Sequence, residues 1–384
     1  MASKKEVLDK LNSLIPKIHD NGGFIFINNP QLSMELEDVV EEIITLGKLN
    51  ELISKDILGK HVNKLIRSHI ETSITDKEFD EFLLNIENTR VECHVFKLIY
   101  GGRFESYEKR IEVGKMIFIS NYASKTDYGY DYSNEHVKMV VDGIQGSGHC
   151  AIALKVTAHD TTSAIVLSES IFQEIELILN LASHIYPGRW LGLVNIKQLS
   201  LNAGYALSDT ESSERSLGDY PFLPLDALVK NEIISKLLLL VQNDNKSEFE
   251  KRLLRAAKWI GLAIFSGPTA AGFVNVINSL ETMTIVKETG IVSPSITSQL
   301  GETVAIILEK TCDARKELYK QITHLYSVRS ACVHGGTDVI KNDDYLAAIK
   351  IAEDLLVKLL IDEEYRDMHN MKELNRHITD IKYS

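Results

Sequence analysis

The stretch from Leu325 to Gly336, LYSVRSACVHGG, puts Arg329 and His334 at what reads as the end of a helix. These two residue types suit phosphoryl transfer. An arginine stays protonated, so it can hold a phosphate and stabilise the charge of its transition state. A histidine titrates near neutrality and can both take and give protons. At the C-terminal end of a helix, the dipole attracts a cation. The spacing adds a constraint. At about 100° per residue, Arg329 and His334 sit roughly 140° apart on a straight helix and share no face. They converge only if the last turn unwinds at His334-Gly335-Gly336, or if a second subunit brings its own pair. Gly335 is suited to end the helix in a left-handed conformation. The same residue types also occupy last helical turns merely to satisfy terminal carbonyls, and Ser330 also reads as a small residue at a helix contact.

Other candidate chemistry is weaker. DGIQGSGHC (Asp142 to Cys150) is rich in glycine, but it lacks GxxxxGK[ST] and reads as a tight hairpin between two strands. His94, His136, His149 and His159 show neither an i, i+4 pair with a third ligand nor HExxH, so no metal site is expected. GxSxG is absent. Cys93, Cys150, Cys312 and Cys332 are scattered, with no CxxC, as in a protein of the reducing cytoplasm. No cofactor is expected.

The elements that must position the arginine and histidine read in three parts. Residues 1–88 are a helical region, in which Leu8, Leu11, Ile15 and Ile18 and then Val39, Val40, Ile43 and Ile44 recur at helical spacing. DNGG and NNP interrupt it. Residues 89–224 form an α+β region. RVECHVFKLIYGG, KRIEVGKMIFISNY, HVKMVVDGI and CAIALKVTAHD alternate like four strands of a mostly antiparallel sheet. A helix follows from about Ser163 to Ser183, then an extended stretch through WLGLVNIKQLSLNAGYAL. The polar run Ser208 to Asp219 reads as a loop or linker. Residues 225–384 read as helices only. One of these carries Leu253, Leu254, Ala257, Ile260, Gly261 and Ile264 on one face, and the run from Ser293 to Gly336 is one long or two abutting helices. The fold class is therefore α+β, ending in an all-α bundle.

With 384 residues, 44% of them hydrophobic and 25% charged, the chain has ample core material without disulfide staples. Its net charge of -12 excludes a general nucleic-acid coat but leaves room for a local basic pocket. The N-terminus does not read as a signal peptide, and the longest apolar runs are far shorter than a membrane span.

RSACVH fits the R-x4-6-H signature of HEPN domains, and LYSVRSACVHGG resembles the close of the Apea-like HEPN domain. The lead-in SPSITSQLGETVAIILEKTCDARKELYKQITHLY is similar to the run preceding that motif. Further upstream, RLLRAAKWIGLAIFSGPTAAGFVNVINSLETMT resembles the family's first long helices, with an acidic step at Leu280-Glu281. The resemblance spans roughly 225–364. A weaker likeness covers IALKVTAHDTTSAIVLSESIFQEIELILNLA, and none covers residues 1–88.

The resemblance implies an all-α domain that forms a homodimer, with motifs facing each other across the interface. It also implies a metal-independent endoribonuclease with Arg329 and His334 as catalytic residues. Glu281 would orient one of them, and Ser330 would support them more weakly than the Asn, Asp or His common at that position. Gly336 stands where toxins silenced by a nucleotidyltransferase carry a tyrosine, so that arrangement is not expected. Arg315, Lys316, Lys320 and His324 form a locally basic segment that could bind flanking RNA phosphates, and that reads equally as a solvated helix face. The resulting expectation is a prokaryotic antiviral or stress-response effector, toxin-like, in the cytoplasm, with residues 1–224 sensing a trigger or positioning RNA. The rival expectation is a catalytically silent helical dimer that binds nucleotides or partner proteins.

Overall fold

The computed structural model describes residues 3–20, 25–26, 29–47, 49, 52–181, 191–194, 204–207, 212–215, 222–285, 295–335 and 339–383. The chain divides into two compact units, 1–96 with 153–171, and 97–152 with 172–384. The sequence segment 1–88 thus lies within the first unit, 89–224 contributes to both, and 225–384 lies within the second.

The first unit is built on α1 (Lys4–Leu14), α2 (Pro30–Gly47), α3 (Lys55–Arg67) and α4 (Asp76–Asn88). Ser3 and Thr75 start α1 and α4 with reciprocal capping boxes to Glu6 and Glu78, and Ser54 caps α3. Leu8, Leu11, Val39, Val40 and Ile43 meet Leu58, Val62, Ile66 and Phe79 in one core, as the helical spacing predicts. The DNGG break is flanked by a two-residue ladder, β1 (His19–Asp20) with β2 (Ile25–Phe26).

The sheet region supplies β3 (Val91–Tyr100), β4 (Gly102–Arg103), β5 (Arg110–Val113), β6 (Met116–Ile119), α5 (Glu135–Ser147), β7 (Cys150–Ala158), α6 (Thr161–Leu179) and β8 (Gly192–Val194). The five-stranded sheet has the order β5-β6-β7-β3-β8, with β5–β6 and β3–β8 antiparallel.

Two expectations are corrected here. HVKMVVDGI belongs to the helix α5 and is not a strand. Asn134 caps it by accepting from the His136 and Val137 N–H groups, Val141 and Ile144 are buried one turn apart, and Met139 is 69% exposed. The apparent alternation was the inner half of a helical stripe. Consequently DGIQGSGHC is no hairpin. It is the end of α5, closed by Gly148 at φ +70°, a left-handed cap that favours glycine.

Part of the polar run from Ser208 to Asp219 is also a strand. β9 (Gly204–Leu207) pairs antiparallel with β10 (Ser212–Arg215), because a two-stranded ladder needs main-chain partners rather than apolar side chains. The rest of WLGLVNIKQLSLNAGYAL and of that polar run lies outside the described residues, apart from Leu191 and β8. β11 (Leu223–Pro224) pairs parallel with β4.

From 225 onward the described residues are helical: α7 (Leu225–Lys230), α8 (Glu232–Gln242), α9 (Glu248–Ser266), α10 (Ala270–Thr284), α11 (Ile296–Leu308), α12 (Cys312–His334), α13 (Asn342–Ile361) and α14 (Met371–Tyr383). A single bridge joins Thr269 and Val339. The fold is α+β, with a small antiparallel sheet and a helical C-terminal region. No helix among the described residues is long and apolar enough to cross a membrane.

α13 is buried along Tyr345, Ala348, Ile349, Ala352, Leu355, Leu356 and Leu359, and Glu353 is drawn into this environment. Burial first, and then the charge of Asp354, push its carboxyl up to about 8, against the pull of Lys350. Glu353 is therefore protonated in the folded chain between its ordinary 4.5 and about 8, where the unfolded chain has lost the proton. Its contribution to stability is full below 4.5 and is lost as the pH rises through about 8. Glu353→Gln, neutral at every pH, is expected to be more stable than wild type at pH 8 by about 2 kcal/mol. In urea melts this gap should close at pH 5, and a gap of equal size at both pH values would contradict the assignment.

Candidate functional site

α12 starts at Thr311, whose hydroxyl accepts from the Ala314 N–H, and it runs unbroken to His334. It packs against α10, α11 and α13, and its fully buried side chains are Ile322 and Leu325. One expectation about its end is corrected. Gly335 is not left-handed but stays right-handed, at φ -102° and ψ -3°. Its N–H still donates to the Ala331 carbonyl at 2.8 Å, so the helical ladder continues past His334 instead of unwinding. The glycine serves a close approach, since a Cβ there would lie 2.8 Å from that carbonyl oxygen.

Arg329 and His334 accordingly keep the offset of a straight helix. Arg329 turns toward α10. Its Nη2 lies 3.8 Å from Glu281 Oε1, and its guanidinium carbon is 5.7 Å from the centre of the Tyr326 ring. Both side chains are about three-quarters buried, at 22% and 24% exposure. Arg329 Nε and Glu281 Oε1 are buried without a hydrogen-bond partner among the described residues. Each such atom costs about 1–3 kcal/mol unless a group joins it, so the pair is held by charge rather than by a well-formed fork. Burial first, and then Glu281, raise the Tyr326 hydroxyl above its ordinary value, with Arg329 opposing.

His334 faces outward. It is exposed and has no hydrogen bond or ion pair among the described residues. It lines a shallow groove of about 560 Å³ with Thr297 of α11 and Thr323, Tyr326, Ser327 and Ser330 of α12. Ser330, which has no side-chain hydrogen bond among the described residues, lines the same groove. The groove thus sets an imidazole beside the Ser330 hydroxyl, while the Thr323 and Ser327 hydroxyls donate to the Tyr319 and His324 carbonyls at 2.9 and 2.7 Å and are left to accept.

The structure brings Glu281 to Arg329 and Ser330 to His334, but it does not bring Arg329 and His334 together within one chain. The basic segment is more dispersed. By the helical rise of about 1.5 Å per residue, Arg315 lies about 28 Å and His324 about 15 Å from His334 along the axis. Arg315 Nε donates to the Glu309 carbonyl at 2.8 Å, Lys316 pairs with Asp313 at 3.4 Å, Lys320 with Glu317 at 3.5 Å and His324 with Asp344 at 3.1 Å. The Lys316 and Lys320 pairs are exposed, so each is weak and open to exchange for a phosphate, whereas the Arg315 bond is half-buried and Asp344 is only 20% exposed.

Tyr326, Thr323, Ser327 and Thr297 were not singled out by sequence. Tyr326 was within reach, because a residue three before an arginine on a helix is its neighbour. Thr297 lies on another helix and left no local signal. Among the described residues, no three His, Cys, Asp or Glu side chains are grouped as metal ligands are. Comparison with protein-family models, with curated proteins and with solved structures finds no match to this chain.

Proposed function

We propose that the chain is a HEPN-type endoribonuclease that cuts RNA without a metal, acting as a homodimer through its C-terminal helices. The observation that supports this most is the pairing of Arg329 with Glu281 on one face of α12, with an exposed His334 on another that has no partner among the described residues. An arginine merely capping its own helix end would turn to the carbonyls of α12, whereas this one is held against a carboxylate of α10.

RNA carries its own nucleophile. The 2'-hydroxyl attacks the adjacent phosphorus, the bond to the 5'-oxygen breaks, and a 2',3'-cyclic phosphate and a 5'-hydroxyl end result. His334 takes the proton of the 2'-hydroxyl, and the corresponding histidine of a second copy gives one to the leaving oxygen. Arg329 stabilises the charge on the pentacoordinate phosphorus. Because the two groups lie on different faces of α12, the complete site draws on both copies. The protein then works in the cytoplasm as an antiviral or stress-response effector, with the N-terminal unit sensing a trigger.

The test is product chemistry in EDTA. The chain is expected to cut a single-stranded RNA oligonucleotide, leaving 2',3'-cyclic phosphate ends, and to leave the same sequence intact as DNA or with 2'-O-methyl groups. Equal cleavage of DNA, or cleavage only on adding a divalent cation, would overturn the reading. A dimer that binds the oligonucleotide and never cuts it would favour the silent binding module.

A further inference from the structure

On α12, at about 100° per residue, Tyr326 lies about 60° from Arg329 on one side and about 80° from His334 on the other. Its side chain borders both halves. Its ring carries the Arg329 guanidinium 5.7 Å from its centre, and the same residue lines the groove holding His334. It also faces Glu281, the carboxylate paired with Arg329. We infer that Tyr326 is a positioning residue: its ring and hydroxyl, together with Glu281, hold Arg329 in one orientation at the edge of the His334 groove. The inference rests on the cleavage reading for its catalytic meaning.

The need for such a hold follows from the contacts that are missing. Arg329 Nε and Glu281 Oε1 make no hydrogen bond among the described residues, and the ion pair of Arg329 Nη2 with Glu281 Oε1 is long at 3.8 Å. A carboxylate at that distance attracts the guanidinium without fixing its plane, because a bidentate fork needs two short N–H···O bonds. A ring beneath the guanidinium supplies the missing restraint, since the cation prefers the electron-rich face. The tyrosine is itself steadied by its place in the helix, three residues from Arg329 on the adjoining turn.

The experiment compares wild type, Tyr326→Phe, Tyr326→Leu and His334→Ala on a mixed-sequence single-stranded RNA oligonucleotide in EDTA. Tyr326→Leu is expected to lower kcat about tenfold with KM within about twofold, the signature of a lost orientation rather than a lost substrate contact. Tyr326→Phe keeps the ring and should stay within about threefold of wild type. An unchanged kcat in Tyr326→Leu while His334→Ala is inactive would overturn the hold and leave the cleavage reading standing. So would a rise in KM alone, or a Tyr326→Phe as impaired as Tyr326→Leu.

A second measurement needs no activity. In urea unfolding, Tyr326→Phe and Glu281→Gln, both close to isosteric, are expected to change the unfolding constant non-additively, by about threefold or more. Additive effects would overturn the hold. If wild type cuts RNA no better than His334→Ala, the cleavage reading falls, and this cycle alone decides whether Tyr326 holds the pair.

Discussion

His334→Ala is expected to slow RNA cleavage by about a thousandfold while leaving the fold untouched. Proton transfer by a positioned side chain accounts for about two to four powers of ten in rate. His334 is exposed and bound to nothing among the described residues, so its removal leaves no cavity and no orphaned partner. The melting temperature should therefore stay within about 1 °C of wild type. Arg329→Ala supplies the contrast. It should lose activity on a similar scale, but it also strips Glu281 of its counter-charge in a site about three-quarters buried. That change should cost about 1–3 kcal/mol of stability, with the dimer intact. Activity and stability thus separate the two residues, one loss being chemical and the other both chemical and structural. His334→Ala cleaving at the wild-type rate in EDTA would remove it from the reaction.

The parts of this arrangement that were legible in the sequence are those set by one helix. The offset between Arg329 and His334 follows from helical pitch, and it survives because α12 stays helical through His334. The helical character of residues 225–384 was equally open, since stripes such as Leu253, Leu254, Ala257 and Ile260 mark one face over several turns. What failed were readings in which two periods fit the same residues. In HVKMVVDGI the apolar positions satisfy strand alternation and a helical stripe together, and only the Asn134 cap and the Gly148 stop separate them.

The role of Gly335 was misjudged for a related reason. A glycine at a helix end suits a left-handed residue or a close contact, and the letter does not say which. The Glu281–Arg329 contact joins two helices, so helical spacing did not reveal it; the resemblance pointed to Glu281 but left open whether it faces the arginine or the histidine. Thr297 had no such pointer. Tyr326 was within reach of helical spacing but passed over, because a tyrosine among Leu325 and Val328 reads as core, whereas its work is at the border between a buried pair and an open groove.

Gly261→Ala, a change that ordinarily strengthens a helix, is expected to destabilise this chain by about 3 kcal/mol. Alanine in a helix interior is worth about 1 kcal/mol over glycine, so the sign of the result is the test. Gly261 lies on the buried face of α9 with Ala257 and Ile260. A Cβ there would stand 2.2 Å from the carbonyl oxygen of Leu177 in α6, 2.8 Å from its carbonyl carbon and 3.2 Å from its Cα. All three are backbone atoms, which cannot rotate aside as a side chain can. Nor can α6 drift away freely. Lys258 of α9 is paired with Glu174 of α6, and Asn180, just past the end of α6, exchanges two hydrogen bonds of 2.8 Å with the Leu191 backbone. The two helices must therefore part by more than 1 Å, opening the apolar contacts around the glycine. Gly59, within α3, is the internal control. A Cβ there meets nothing within 4 Å, so Gly59→Ala should gain about 0.5–1 kcal/mol. Urea melts of the two variants should move in opposite directions. If Gly261→Ala moved with Gly59→Ala, α6 and α9 would not be in backbone contact, and the frame that carries α10 beside α9 would need a different packing.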